Sequence, residues 1–247
     1  LPVEDANISA VVLGDMHVGS TDQRLLQAFA AQLIKVNPDY VVIHDLVDGF
    51  SISHHERNQL ISQAKTQANR SLSLESELRQ IAQFLNALCG LKSNFEVVIV
   101  DSNHDQWIKR WLQDGQFMKE PQNMALGLEL AQSLIEGKDP LTVGLEKFGL
   151  QNPRRIHFLG VGERFSVGPQ NRRVELALHG HRGANGAKGS IQSYQKAMGR
   201  MVYGHTHTDE RRNGIVNIGT STNLVLPYSA EGLSSWVQSA AMVTSDG

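Results

Sequence analysis

The sequence that decides the fold is ISAVVLGDMH at residues 8–17, followed by PDYVVIHDLVD at residues 38–48. The apolar runs Ile8–Leu13 and Tyr40–Ile43 read as buried strands, and each delivers a polar loop. Between them, residues 21–36 predict a capped amphipathic helix that Asn37-Pro38 ends. The pattern is strand–helix–strand. Ligand sites of open α/β sheets lie at the carboxyl ends of such strands.

The rest of the chain continues this alternation and then changes character. An amphipathic helix is predicted over 75–91, a third strand over 95–100, and broken helices over 106–150. One further helix is predicted at 191–198. Short strands separated by glycine-rich turns are predicted at 156–159, 164–167, 174–178, 201–203, 215–218 and 236–243. We therefore expect a single domain, 1–247, with helical insertions at about 51–91 and 106–150.

Composition sets outer limits on function. The chain has 247 residues, 40% of them hydrophobic, and a formal charge of −2. The bulk charge gives no overall signature of nucleic-acid binding and leaves room for a local basic rim. Cys89 is the single cysteine, which excludes an internal disulfide and favours a reducing, cytoplasmic setting. No apolar run approaches a membrane span, so no membrane partner is expected. The start at Leu1 is compatible with a piece of a longer protein.

Four short motifs rich in histidine and aspartate follow apolar runs. They are Gly14-Asp15-Met16-His17, His44-Asp45-Leu46-Val47-Asp48, Asn103-His104-Asp105 and Gly204-His205-Thr206-His207. Carboxylates can bridge and neutralise two cations, and imidazoles complete the coordination shells. Asp45 is the natural bridging carboxylate. His104 is free to act as a proton donor, because it diverges from its neighbour Asn103. The ordered set predicts a two-metal site, which suits in-line displacement at phosphorus.

With His179 added, the motifs resemble those of the calcineurin-like metallophosphoesterases. That family's pattern is Asp-x-His, Gly-Asp-x-x-Asp, Gly-Asn-His-Asp or -Glu, a single His, and Gly-His-x-His. The resemblance covers about residues 8–220. His44 and Ser102 replace glycines of the pattern, which puts loop geometry in question more than the ligands. The resemblance implies an α/β fold: a two-sheet β-sandwich flanked by helices in four αββα layers, with helical insertions.

The family pattern also implies a role for each residue. The first metal would be held by Asp15, His17, Asp45 and His207. The second would be held by Asp45, Asn103, His179 and His205, with Asp45 bridging. A metal-bridging hydroxide would attack phosphorus in line, and His104 would protonate the leaving oxygen. Asp105 would orient His104, and Asp48 would lie outside the ligand set or touch the attacking water.

Several neighbouring residues have alternative readings. His179 directly follows a predicted strand and is favoured over His181 as the ligand, which leaves His181 facing the opening. His54 and His55 either form a solvated pair or bind substrate phosphate together with His181 and Arg182. The pairs Arg154-Arg155, Arg172-Arg173 and Arg211-Arg212 read as solvated faces, and Trp107 and Trp111 as core residues.

Fewer residues indicate the substrate than indicate the metal site. Protein phosphatases of this family have Arg and Glu at the positions of Gly49 and Asp105. These differences argue against a phosphoprotein phosphatase. The Asn-His-Asp form is similar to the nuclease and phosphodiesterase branches, including DNA-repair nucleases of the Mre11/SbcD type and phosphoesterases of tailed bacteriophages linked to DNA transfer and DNA degradation. We expect a DNA nuclease with two divalent ions, Mn²⁺ first and Mg²⁺, Fe, Zn²⁺ or Ni²⁺ as alternatives. A small-molecule or nucleotide phosphodiesterase or phosphatase is the second reading, and a binding-only module is the third. Self-association through the amphipathic helices is compatible with the pattern.

Overall fold

Two five-stranded mixed sheets face each other, and helices cover their outer faces. The computed structural model describes residues 7–53, 73–91, 94–183, 186–225 and 233–247. The first sheet has the strand order β10-β1-β2-β3-β4, and the second has the order β5-β6-β7-β9-β8. The expected architecture, a two-sheet sandwich flanked by helices, is confirmed.

The first sheet contains the strands predicted from the long apolar runs. Its strands are β1 (Ile8–Leu13), β2 (Tyr40–His44), β3 (Glu96–Val100), β4 (Ile156–Phe158) and β10 (Ala240–Thr244). β1 to β4 run parallel, and β10 pairs antiparallel with β1. Both faces of this sheet are buried, which explains why its strands read as continuous apolar runs.

The helices pack mainly on the outer face of the first sheet. They are α1 (Gln23–Val36), α2 (Leu74–Cys89), α3 (Asp105–Gln113), α4 (Met124–Ile135) and α5 (Pro140–Lys147). Strand residues of one parity, such as Val11 and Ile43, pack against these helices. Residues of the other parity, such as Val12 and Val42, pack against the second sheet. This alternation builds the two apolar layers around the first sheet.

The second sheet is made of short strands. They are β5 (Ser166–Val167), β6 (Val174–Glu175), β7 (Met201–Tyr203), β8 (Glu210–Arg212) and β9 (Ile215–Asn217). Helix α6 (Ile191–Ala197) covers its outer face through Ile191 and Tyr194. β6, β7 and β9 run parallel to one another.

Some elements differ from the sequence prediction. β5, β6 and β10 are shorter than predicted. Within the broken helices predicted over 106–150, Pro140 is the first residue of α5, and Asp139 caps this helix by accepting a hydrogen bond from the Thr142 amide. β8 was not predicted, although Asn213-Gly214, both with positive φ, is a typical hairpin turn. Among the residues described, no helix has the length and apolar character needed to cross a membrane.

Candidate metal centre

The loops after β1 and β2 run side by side beyond the end of the sheet. The amide of Met16 donates to the carbonyl of His44 at 3.0 Å, and the amide of His17 donates to the carbonyl of Asp45 at 2.8 Å. The Val18 amide donates to Leu46 in the same way. This continued pairing brings the first two motifs together at the carboxyl edge of the first sheet, as the strand–helix–strand pattern predicts.

Asp15 is a completely buried carboxylate in contact with residues that follow β6 and β7 of the second sheet. Its Oδ2 lies 2.8 Å from His207 Nε2, and its Oδ1 lies 3.8 Å from His179 Nδ1. The backbone amide of His205 donates to the carboxylate at 3.0 Å. A Cβ atom on Gly204 would overlap Asp15 Oδ1, so this close approach requires glycine.

Asp45 lies beside Asp15 and contacts residues from three motifs. Its Oδ2 lies 3.4 Å from His17 Nε2 and 3.4 Å from His179 Nε2. Its Oδ1 accepts a hydrogen bond of 2.5 Å from the hydroxyl of Ser102. Asp45 therefore occupies the central place that the bridging role requires. Ser102, which replaces a glycine of the family pattern, holds its second oxygen.

Five of the predicted ligands have a positive φ, which is uncommon for residues other than glycine. They are Asp15 (φ 20°), His17 (40°), Asp45 (51°), His205 (79°) and His207 (59°). Strained backbone of this kind persists where the surrounding structure holds it in place, and it concentrates at functional sites. The strain thus coincides with the residues that the motifs single out.

The electrostatics of the cluster favour positive charge. Burial alone would raise the pKa values of Asp15 and Asp45, but neighbouring imidazoles, chiefly His179 for Asp15 and His104 for Asp45, hold both pKa values below their ordinary range. Burial lowers the pKa of His179, whereas the charges of Asp45 and Asp15 raise it to about 9. The same field that draws a proton onto His179 would attract a divalent cation.

The donor atoms fit a metal centre. Two groups of donors that lie within 4.8 Å of one another contain only predicted ligands: Asp15, His17 and His207, and Asp15, Asp45 and His179. Asn103 Oδ1 is buried and accepts no hydrogen bond within the described residues, as expected of an oxygen reserved for a cation. His205 joins the edge of the cluster, with its ring 5.1 Å from that of His179. Nitrogen and oxygen donors without sulfur suit several divalent ions, Mn²⁺ and Zn²⁺ among them.

His104 is oriented by a backbone carbonyl and not by Asp105, the expected partner. Its Nδ1 lies 2.9 Å from the backbone carbonyl of Asp48. A carbonyl only accepts, so Nδ1 carries the proton and Nε2 is left for other chemistry. The ring stacks on Trp107 at 3.9 Å between centroids, so Trp107 serves this site as well as packing against the core. Trp111 is a core residue, as predicted.

Asp105 does not supply the hydrogen bond that orients His104, contrary to the expectation. Its Oδ1 accepts from the backbone amide of Val47 at 3.0 Å, and its own amide donates to Ser102 Oγ. Burial, and then the charge of Asp45, raise the pKa of Asp105 to about 7. The residue ties the loop after β3 to the loop after β2.

Asp48 lies at the border of the cluster. Its Oδ2 accepts a hydrogen bond of 2.7 Å from Ser20 Oγ, and its Oδ1 lies 4.0 Å from His17 Nδ1. His17, Asp48 and His104 form a third group of donors close enough to hold a cation, whereas the sequence assigned Asp48 and His104 other roles. This position next to His17, a predicted ligand, fits a residue that orients the His17 ring.

The expected substrate-binding residues are only partly brought to the site. The ring of His181 lies 5.5 Å from that of His179 and 6.3 Å from that of His205. Burial, and then His179, lower the pKa of His181 to about 4. Arg182 donates from Nη2 to Gln106 Oε1 at 2.8 Å on the exposed rim. His54 and His55 lie outside the described residues. His179, not His181, touches both carboxylates, and its role as a ligand stays a prediction.

Sequence reasoning missed two residues that shape the site. Glu77 of α2 accepts hydrogen bonds from the amides of Gly49 and Ser51, which fixes the loop that carries Asp48. Trp236 packs its ring 4.3 Å from that of His207. No local pattern marks either residue, because both contacts join segments far apart in the sequence.

Comparisons with known proteins give one sequence relative. No protein-family model matches the chain. The chain is 27% identical over 250 residues to Protein A1 of Escherichia phage T5, across 95% of this chain and 43% of that protein. It therefore spans less than half the length of this curated relative. The structure of Vps29 from Entamoeba histolytica, complexed with Zn²⁺, aligns with 94% of this chain and 82% of its own at a TM-score of 0.41 and 13% identity. The chain is thus similar, over nearly its whole length, to part of a bacteriophage protein.

Proposed function

We propose that the protein is a metal-dependent phosphodiesterase that cleaves DNA. The observation that carries the proposal is the pair of buried carboxylates, Asp15 and Asp45, which share a contact with His179; Asp15 also contacts His207, and Asp45 also contacts His17. Buried charges of like sign are costly unless cations compensate them. Two adjacent buried carboxylates do not by themselves stabilise the folded state. This arrangement matches what a pair of divalent ions requires.

The residues divide into two ligand sets. Asp15, His17, Asp45 and His207 would hold one ion, and Asp45, Asn103, His179 and His205 would hold the other. When bound, such ions neutralise the phosphoryl oxygens and lower the pKa of water, which makes a nucleophile available near neutral pH. We propose that both ions are Mn²⁺.

His104 completes the chemistry as a proton donor. Its Nδ1–H is committed to the Asp48 carbonyl, and stacking on Trp107 fixes the plane of the ring. A proton on Nε2 can therefore pass to the leaving oxygen as the bond between phosphorus and that oxygen breaks. Positioned acids of this kind contribute about 10²–10⁴-fold to rate.

The DNA substrate is supported by the residues around the cluster. Arg182 stands at the rim, held by Gln106, whose amide donates to Asp101 at 2.6 Å. A guanidinium fixed in this way suits a phosphate next to the one being cleaved. The Asn-His-Asp motif, similar to nuclease branches, points the same way.

A substrate panel tests this proposal. The purified protein is incubated with Mn²⁺ and, in separate reactions, duplex DNA, single-stranded DNA, a cyclic nucleotide and a phosphopeptide. We expect DNA cleavage that stops when EDTA is added. Rapid hydrolysis of the cyclic nucleotide or the phosphopeptide with DNA left intact would overturn the choice of substrate.

A matched pair of histidine variants tests the site. His104→Ala removes the proposed acid. His157→Ala removes an exposed histidine of β4 whose Nε2 lies 3.0 Å from Glu96. We expect cleavage to fall only in His104→Ala. An equal loss of cleavage in both variants would mean that His104 has no specific role in the reaction.

A further inference from the structure

A cleft lined by four arginines lies away from the metal centre. Arg164, Arg172, Arg173 and Arg200 line this arginine cleft, which has a volume of about 570 Å³. Arg172-Arg173 and Arg200 precede β6 and β7, whereas His179 and His205 follow those strands. Arg200 and His205 are five residues apart and Arg173 and His179 are six apart, so the connecting chain spans at most roughly 18–22 Å. None of the residues that line the cleft is a predicted metal ligand. The cleft is therefore a separate feature near the β5 edge of the second sheet.

The charge of the cleft is not cancelled by its own residues. Glu175 is its one acidic lining residue, and it is buried. Its carboxylate already accepts from Arg164 Nε at 2.7 Å and from the amides of Phe165 and Ala177 at 3.2 and 3.0 Å. Glu175 thus fixes Arg164 in place, and its accepting capacity is largely used by these donors.

The other arginines are available to an anion. Arg172 forms an ion pair of 3.6 Å with Asp246, which is exposed, and such surface pairs are weak and exchangeable. Arg200 donates from Nη1 to the Gly247 carbonyl oxygen at 2.9 Å, which leaves further N–H groups. Arg173 forms no ion pair within the described part of the chain. Three guanidinium groups can therefore turn donors toward a ligand.

We propose that the arginine cleft binds the phosphate backbone of a nucleic acid strand, as a second contact outside the cleavage centre. Guanidinium groups match phosphate oxygens in charge and geometry. A strand carries one phosphate per nucleotide, and Arg172 and Arg173 are adjacent in the chain and line the same cleft, so one strand can engage more than one arginine. The choice of a nucleic acid rests on the proposed function. It gives Arg172-Arg173, otherwise a solvated pair, a role in holding the substrate.

Binding without cleavage tests the cleft. A labelled single-stranded DNA 20-mer is titrated with the protein in EDTA, and its fluorescence anisotropy is followed over a series of salt concentrations. The test variant is Arg172→Gln/Arg173→Gln. The control is Arg211→Gln/Arg212→Gln, which removes the same charge from β8 at the opposite edge of the sheet.

The expected result is specific to the cleft. Loss of two phosphate contacts should reduce the slope of log K against log salt by about 1.4, since each contact to a single strand contributes about 0.7. The control should keep the wild-type slope. Equal slopes in all three proteins would overturn the proposal, as would poly-L-glutamate competing as well as DNA at equal charge.

A second readout separates this proposal from the proposed function. Hydrolysis of bis-p-nitrophenyl phosphate with Mn²⁺ needs the metal centre alone, so both double variants should match the wild-type rate. If the wild type hydrolyses neither this ester nor DNA, the proposed function fails, while the anisotropy series still judges the cleft. If hydrolysis is normal and the slopes do not differ, the cleft proposal alone fails.

Discussion

Glu77 should make the stability of the protein depend on pH. Its two carboxylate oxygens accept hydrogen bonds from the amides of Gly49, at 3.1 Å, and Ser51, at 2.6 Å. Burial beneath this loop, and then the charge of Asp48, raise the pKa of Glu77 from 4.5 to about 7. The perturbation we consider is Glu77→Gln, which keeps the shape of the side chain and removes the ionisation.

The sign follows from the raised pKa. The folded protein holds the Glu77 proton more tightly than the unfolded chain does. Protonated Glu77 therefore contributes to the free energy of unfolding, and this contribution is fully present below about pH 4.5. It is lost as the pH rises toward 7. The difference between 4.5 and about 7 corresponds to about 3 kcal/mol in the free energy of unfolding. Because the side chain is only partly buried, water lowers this figure.

Urea unfolding at several pH values measures the effect. The wild type and Glu77→Gln are compared from pH 4.5 to 8 without metal, so that changes common to both proteins cancel. Relative to the variant, the wild type should lose about 2–3 kcal/mol across this range. Glu75→Gln, an exposed change on the same helix, is the control and should give a curve parallel to the wild type. A parallel curve for Glu77→Gln would refute the reasoning.

Three further predictions concern the loops around the metal centre. His104→Ala should keep metal binding by calorimetry and lower kcat by about 10²–10⁴-fold; loss of bound metal instead would make His104 a ligand. Ser102→Ala removes the hydrogen bond of 2.5 Å to Asp45 and should weaken metal affinity by about 10–100-fold in the same titration, and unchanged affinity would show that the contact is dispensable. Gly49→Ala places a Cβ atom 2.7 Å from the Trp107 ring at φ +69° and should cost about 1–3 kcal/mol in urea unfolding, whereas wild-type stability would show that the loop relaxes freely.

Much of the first sheet could be predicted from the sequence. Runs such as Ile8–Leu13 are apolar throughout because both faces of the sheet are covered, and this pattern is readable without a structure. The meeting of Asp15 and Asp45 follows from the parallel order of their strands. The second sheet was harder, because strands as short as Val174–Glu175 carry little periodicity and depend on long-range pairing.

The contacts around His104 could not be read from the sequence. Proximity along the chain suggested Asp105 as its partner, but Asp105 begins α3 and turns toward the Val47 amide. The actual acceptor is the Asp48 carbonyl, which depends on the course of the loop that Glu77 holds from another helix. Main-chain acceptors of this kind leave no mark in a motif.

A manganese titration tests the central claim most directly. The protein is stripped with a chelator, and its hydrolysis of linear DNA is followed as Mn²⁺ is added. The cluster around Asp15 and Asp45 predicts no hydrolysis without metal, and activity that saturates near two equivalents of tightly bound Mn²⁺. Hydrolysis that survives chelation, or no phosphoester hydrolysis at saturating Mn²⁺, would contradict the account.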